Sequence, residues 1–321
     1  MERDKYLQHL QRILDAAIEK ARKAVGGLPA DYIPELAHVD PELLCGALML
    51  SDGTQITSGD VGGTTFTLQS VAKLISLIGL MEEFGEEKIF TWIHAEPSGH
   101  PFASLAQVER FGGTPVNPMI NAGAIALCSH IPGNTQERSQ WLDHWAQKLF
   151  GHPLNVNGKV FASERVTGDR NRSIAYLLKS KGEISLSVDE ALETYFYLCS
   201  YECDIKTASV LPMILANGGL LPDGTRVISE RTSNCVVAIM ATCGLYDESG
   251  MHLVRTGMPA KSGVSGLIVS VATGRGGVAI YSPRVNDKGG SVRGQEVLYY
   301  LSQALDWHFA APWGYLRIDP E

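Results

Sequence analysis

At 321 residues, 45% hydrophobic and 19% charged, the chain is long enough for one large domain or two lobes around an ample apolar core. Its net charge of −8, from 27 basic and 35 acidic residues, argues against a nucleic-acid or anionic-membrane surface. The opening residues, Met1-Glu-Arg-Asp-Lys-Tyr, have no apolar signal core, and no uncharged run approaches membrane-spanning length, so the expected location is the cytoplasm.

In chain order, residues 2–25 place Leu7, Leu10, Ile13, Leu14, Ala17, Ile18 and Ala21 at three- and four-residue spacing. That spacing predicts an amphipathic helix ended by Gly26 and Gly27. Residues 28–35 read as an extended or turning piece, because the residue before a proline avoids the helical region. Residues 43–50 and 54–58 flank Ser51-Asp52-Gly53, a hairpin signal. A third short strand over residues 64–68 runs into the stretch that organises the rest.

From Val71 to Met81 that stretch is apolar at nearly every position except Lys73, Ser76 and Gly79. A helix apolar all round is enclosed by the rest of the protein, and Gly85 is its expected C-terminal stop. A helix starting near Ser70 stacks Ser70 and Lys73 on one face. Burial lowers a lysine pKa from its usual ~10.4, and a neutral lysine beside a serine hydroxyl is a general base beside a nucleophile. Spacing alone carries little: 24 serines and 12 lysines in 321 residues give 24 × 12 / 321, roughly 0.9 chance matches to Ser-x-x-Lys. The apolar setting is what singles this lysine out. The structural alternative is an edge lysine reaching to solvent.

Residues 86–254 read as predominantly helical. One helix carries Trp141, Leu142, Trp145, Leu149 and Phe150 before Gly151. A Ser187…Glu190 capping box opens another, to about Tyr201. A third covers residues 207–217, and a fourth starts at Ser229 and runs to Gly244. Residues 117–127 form a small-residue helix start. After Lys261, residues 263–271 and 277–281 read as two strands and residues 297–309 as a final helix. Strands at both ends with helices between imply a sheet built from the two termini. We expect one domain over 1–321, with a sheet lobe at about 1–68 and 255–321 and a helical lobe at about 69–254. The six cysteines sit mostly in apolar runs without a Cys-x-x-Cys pair, so they are expected to be reduced core residues. His94 and His100 flank a Glu-Pro-Ser-Gly loop, and no histidine spacing suggests a metal.

This layout, with Ser70-Val-Ala-Lys73 opening the helical insertion and Lys261-Ser262-Gly263 on a strand edge, resembles the serine β-lactamase and DD-peptidase fold. No Ser-Asp-Asn triplet accompanies it. A closer likeness runs over essentially the whole chain. Asp31-Tyr32-Ile33-Pro34, Ser70-Val-Ala-Lys73, Pro118-Met-Ile-Asn121-Ala-Gly-Ala, Ser163-Glu164 with Asn171-Arg172, Tyr195, Gly244-Leu-Tyr246 and Pro259-Ala-Lys-Ser-Gly-Val264 are similar to the serine-dependent glutaminase family. The resemblance implies an α+β, β-lactamase-like fold: an antiparallel sheet from both chain ends flanked by terminal helices, and the active site between it and an inserted helical lobe.

It also implies hydrolysis of L-glutamine through an acyl-serine intermediate, without metal or organic cofactor, by a homo-oligomer (tetramer or dimer) that binds neither nucleic acid nor membrane. By resemblance Ser70 is the nucleophile, Lys73 its base and Tyr246 a proton relay. The backbone N–H groups of Ser70 and Val264 form the oxyanion hole. Glu164 takes the substrate ammonium, and Tyr32, Asn121, Asn171 and Tyr195 make polar contacts. Read from residue type alone, Glu164 is a surface charge, the asparagines are helix caps and Tyr246 is half-buried. The competing functions are an acyl-serine hydrolase of β-lactams or peptides, and a non-catalytic amino-acid-binding protein.

Overall fold

The computed structural model describes residues 2–99, 101–110 and 112–311, so His100 and residues 312–321 lie outside the described residues. Strands β1 (Cys45–Leu50) and β2 (Gln55–Gly59) form the expected hairpin, with Leu48 opposite Ile56. Strands β3 (Phe66–Thr67), β4 (Asn155–Val156) and β5 (Tyr201–Cys203) are short. β6 (Ala260–Ser262), β7 (Leu267–Ala272) and β8 (Gly276–Tyr281) follow near the C-terminal end. The main sheet has order β2-β1-β8-β7-β6, with antiparallel neighbours throughout. β1 against β8, with Leu48 opposite Val278, joins the two ends of the chain at its centre.

Because side chains alternate along a strand, the sheet buries two faces. Leu48, Leu50, Ile268, Val278 and Ile280 pack with Leu10, Leu14 and Ile18 of the helix Glu2–Ala21 and with Val297, Leu298 and Leu301 of the helix Val292–Leu305. Cys45, Ala47, Val269, Val271 and Ala279 belong to the other core, shared with the helices of residues 73–243. No described helix is long and apolar enough to cross a membrane.

Lys73–Phe84 is that core's central helix, buried from Lys73 to Met81 and capped by Gly85 at φ 78°. Each of its leucines and isoleucines contributes about 2 kcal/mol by burial. Glu83 accepts both the Trp141 and Trp145 indole N–H groups, at 2.7 and 3.1 Å, which fastens the helix to Thr135–Phe150.

Several boundaries differ from the sequence expectation. The first helix ends at Ala21, short of the two glycines. The stretch 64–68 supplies β3, which pairs with β5 in a separate sheet of order β3-β5-β4 instead of joining the main one. The Ser187-capped helix therefore ends at Cys199, because Tyr201 is needed in β5. Residues 205–216 form two helices, Ile205–Ala208 and Val210–Ala216, broken at Ser209. Residues 263–266 turn between β6 and β7 rather than extending a strand. The last helix begins five residues early, capped by Ser291.

Candidate active site

Two sheets and one helix converge on Ser70. Phe66 of β3 stacks on Tyr281 of β8 at 4.2 Å, and the Leu68 N–H bonds Tyr201 O at 2.7 Å. The chain then enters a 3₁₀ turn, Gln69–Ala72, before the α-helix begins at Lys73. Gln69 has φ 48°, a left-handed conformation costing about 1–3 kcal/mol in a non-glycine residue. The expected helix start is thus a strained corner with the nucleophile candidate just after it. Across from it lies the turn after β6. A Cβ on Gly263 would stand 2.7 Å from Leu68 O and 3.5 Å from Ser70 N, so only glycine lets this loop rest on the serine backbone. Val264, next in sequence, is buried there.

Lys73 is 1% exposed, which removes the edge-lysine alternative. Its Nζ donates to Met119 O at 2.9 Å and to Asn121 Oδ1 at 2.8 Å, while Asn121 Nδ2 donates to Asn171 Oδ1 at 2.8 Å. Asn117 shapes the turn that presents Met119, its Oδ1 accepting the Met119 and Ile120 N–H groups. Burial pulls the Lys73 amine down to about 8, and Glu164 is among the nearby groups that restrain the fall. The rings of Tyr195 and Tyr246 lie 6.0 and 5.8 Å from its nitrogen.

Lys73 Nζ bonds Met119 O and Asn121 Oδ1 rather than Ser70; burial raises the Tyr246 phenol, and the nearby Ser70 hydroxyl opposes that rise. Tyr246 is buried, tilted against Phe102 at 5.0 Å, and also has a left-handed backbone, at φ 57°. Behind it, Lys261 Nζ lies 3.2 Å from Tyr246 Oη and donates to Ser262 O at 2.6 Å. Lys261 is fully enclosed, and burial followed by repulsion from Lys73 holds its pKa well below the usual lysine range.

Glu164, from the helix Gly158–Thr167, is 5% exposed and so not a surface charge. Burial lifts its carboxyl to about 7 against the opposing pull of Gln69 and of Lys73. Tyr195 is 3% exposed, and burial raises its pKa well above the usual phenol range. Asn121 and Asn171 engage each other rather than capping helices. Tyr32 is about half exposed as a residue, and desolvation raises its pKa well above the usual phenol range. Hydrogen bonds link Lys73, Asn121 and Asn171, and the rings of Tyr195 and Tyr246 flank the same amine between the main sheet and the helices.

Two participants were absent from the expected set. Gln69 announces itself in sequence only as the neighbour of Ser70. Lys261 was visible as part of Lys261-Ser262-Gly263 but carried no assigned role. All six cysteines are free, and Cys235 alone of them is not fully buried.

A family model described as Glutaminase matches residues 27–309. The chain is 50% identical over 302 residues to the glutaminase of Legionella pneumophila strain Philadelphia 1, spanning 94% of this chain and 97% of that one. It is 41% identical to the glutaminase of Fusobacterium nucleatum over 92% and 98% of the two chains. Among solved structures, the probable glutaminase ybaS superposes with a TM-score of 0.91 at 35% identity, covering 95% and 99%. A Bacillus subtilis probable glutaminase gives 0.85 at 31% identity, covering 95% and 97%.

Proposed function

Because the chain belongs to the glutaminase family, we propose that it hydrolyses L-glutamine to L-glutamate and ammonia through an acyl group carried on Ser70. It is a hydrolase of a linear amide, and its reading as one domain with a sheet lobe and a helical lobe goes with that assignment. One observation carries the chemistry: a lysine sealed from solvent beside a serine, with its amine at about 8. A neutral amine has two N–H donors and one lone pair. Both donors are engaged by Met119 O and Asn121 Oδ1, so the lone pair is left to receive a proton from the serine one turn earlier.

In the acylation step Ser70 Oγ forms a bond to the side-chain amide carbon and its proton passes to Lys73. The carbonyl oxygen, now negative, lies against the N–H groups of Ser70 and Val264, each such donor being worth about 3 kcal/mol. The C–N bond then breaks, and nitrogen leaves as ammonia after gaining a proton through the Tyr246 hydroxyl, which lies near Ser70 and accepts from Lys261 Nζ at 3.2 Å. Lys261, held neutral, adds no positive charge while Lys73 carries one. Water repeats the sequence in reverse and frees glutamate. Glu164 pairs with the substrate ammonium, while Tyr32, Asn121, Asn171 and Tyr195 offer the amide and hydroxyl contacts. The reading needs no metal or organic cofactor.

A cytoplasmic homo-oligomer, tetramer or dimer, completes the proposal and rests on the family likeness; light scattering on the purified protein tests it. The function itself is tested by ammonia release from glutamine, asparagine and a chromogenic β-lactam in parallel. Turnover of glutamine alone supports it. Binding of glutamine that raises Tm without turnover points to the non-catalytic alternative, and cleavage of the β-lactam to the other.

A further inference from the structure

Tyr246 holds a backbone conformation that tyrosine disfavours, so something nearby must over-determine it. Part of the restraint is local: Ser249 Oγ accepts the Leu245 N–H at 3.0 Å and donates to Tyr246 O at 2.9 Å. The rest comes through Glu248, from a loop 38 residues beyond it. Asn286 closes a five-residue loop, its N–H bonding Gly290 O and its Oδ1 accepting the N–H groups of Lys288 and Gly290, each at 3.0 Å. That fixes its amide so that Nδ2 donates to Glu248 Oε1 at 2.9 Å. The other oxygen of Glu248 accepts from Gln295 Nε2 at 3.4 Å. Lys288 adds an ion pair to Asp247 at 2.9 Å, on the solvent side and of minor weight.

The same loop also reaches the opposite wall of the site. A Cβ on Gly289 would stand 3.2 Å from Val264 Cγ1 and 3.7 Å from the ring of Phe102, which itself packs on Tyr246. One on Gly290 would stand 2.7 Å from Glu248 Oε2 and 2.6 Å from Gln295 Nε2, breaking the clamp.

We infer that Glu248, gripped by Asn286 and Gln295, is a positioning residue that holds the Tyr246 hydroxyl toward Ser70 and ties the Tyr246 turn to the loop bearing Val264. This rests on the proton-relay role given to Tyr246 above. The clamp is outside the chemistry: Glu248 meets no reacting atom and acts through the tyrosine that precedes it by two residues. Its partners are a neutral amide pair, so the arrangement requires an acceptor at 248 and a donor at 286.

The test is a set of full-length variants assayed for ammonia release, with Tm measured for each. Glu248→Ala is expected to lower kcat about 10- to 100-fold with KM within about twofold, as a small misplacement of a reacting group does. Asn286→Asp, which sets two carboxylates face to face, is expected to lose a similar factor. The pair Glu248→Gln with Asn286→Asp reverses donor and acceptor while keeping shape, and is expected to recover turnover to within about threefold of wild type. The decisive readout is the Tyr246→Phe background, where Glu248→Ala is expected to cost no further activity because the hydroxyl it positions is gone. An equal loss in both backgrounds, or no loss in the wild-type background, overturns the clamp. Wild-type turnover in Tyr246→Phe alone overturns the relay role itself, and with it the clamp. Should Glu248→Ala fail to fold, the Asn286→Asp variant and its reversal carry the same comparison.

Discussion

Two buried lysines face the same space from opposite walls, and their surroundings differ. Lys73 opens the central helix, with one backbone and one amide oxygen as acceptors and Glu164 nearby. Its amine is lowered only to about 8, within reach of the working pH. Lys261 comes from the edge strand β6, bonds a phenol and its own neighbour's carbonyl, and sits against the positive side of Lys73. It is driven further down and stays neutral. The contrast teaches that burial alone does not make a base: Cys199, Cys128 and Glu164 restrain the fall of Lys73, whereas Lys261 is pushed further down by repulsion from Lys73 with Cys199 opposing it.

The proposed division of labour is open to direct attack. Ser70→Ala is expected to lower ammonia release by at least about 1,000-fold, and Lys73→Ala by a comparable factor, with the double variant no worse than either alone because the pair acts as a unit. Multiplying losses in a kinetic cycle would break the pairing. Glu164→Gln removes the charge facing the substrate ammonium and is expected to raise KM about 10- to 100-fold while leaving kcat within a few-fold. A change confined to kcat would assign Glu164 to the chemistry instead.

Lys261→Met sharpens the comparison itself. If Lys261 is neutral and only supports Tyr246, kcat falls about tenfold, far less than for Lys73. Tm does not drop, since an apolar chain of similar length replaces a buried amine. A loss as deep as that of Lys73→Ala would make Lys261 the base. The pH profile gives a smaller, graded effect. Lys73 at about 8 and Glu164 at about 7 must both be deprotonated in the free enzyme, so kcat/KM is expected to rise with pH through this range. The limb should steepen below about 7, where both groups are protonated, and flatten above about 8.

The Lys73 wall was far more legible in sequence than the Lys261 wall, for a physical reason. An apolar run from Val71 to Met81 interrupted by Lys73, Ser76 and Gly79 is a local pattern, as are the Ser51-Asp52-Gly53 turn and the Ser187 to Glu190 capping box. What the sequence hid is non-local or sterically unusual. Strands of two or three residues, such as β4, β5 and β6, fall below any periodicity. The left-handed backbones at Gln69 and Tyr246 defy the preferences of their residue types. The carboxylate of Glu248 and the amide of Asn286 meet across 38 residues without a motif in either segment. The site residues themselves came from family likeness, since residue type alone assigned Glu164 to the surface and both asparagines to helix caps.

The most direct test of the central claim, that an uncharged Lys73 activates Ser70, is the rate at which a diazo-ketone analogue of glutamine labels Ser70 at saturating concentration, measured against pH. Saturation removes the binding contribution of Glu164. The account predicts a limiting rate that climbs through about pH 8 in the native enzyme and loses that limb in Lys73→Ala. The same limb persisting in Lys73→Ala, or a native rate flat across pH 6 to 9, would contradict it.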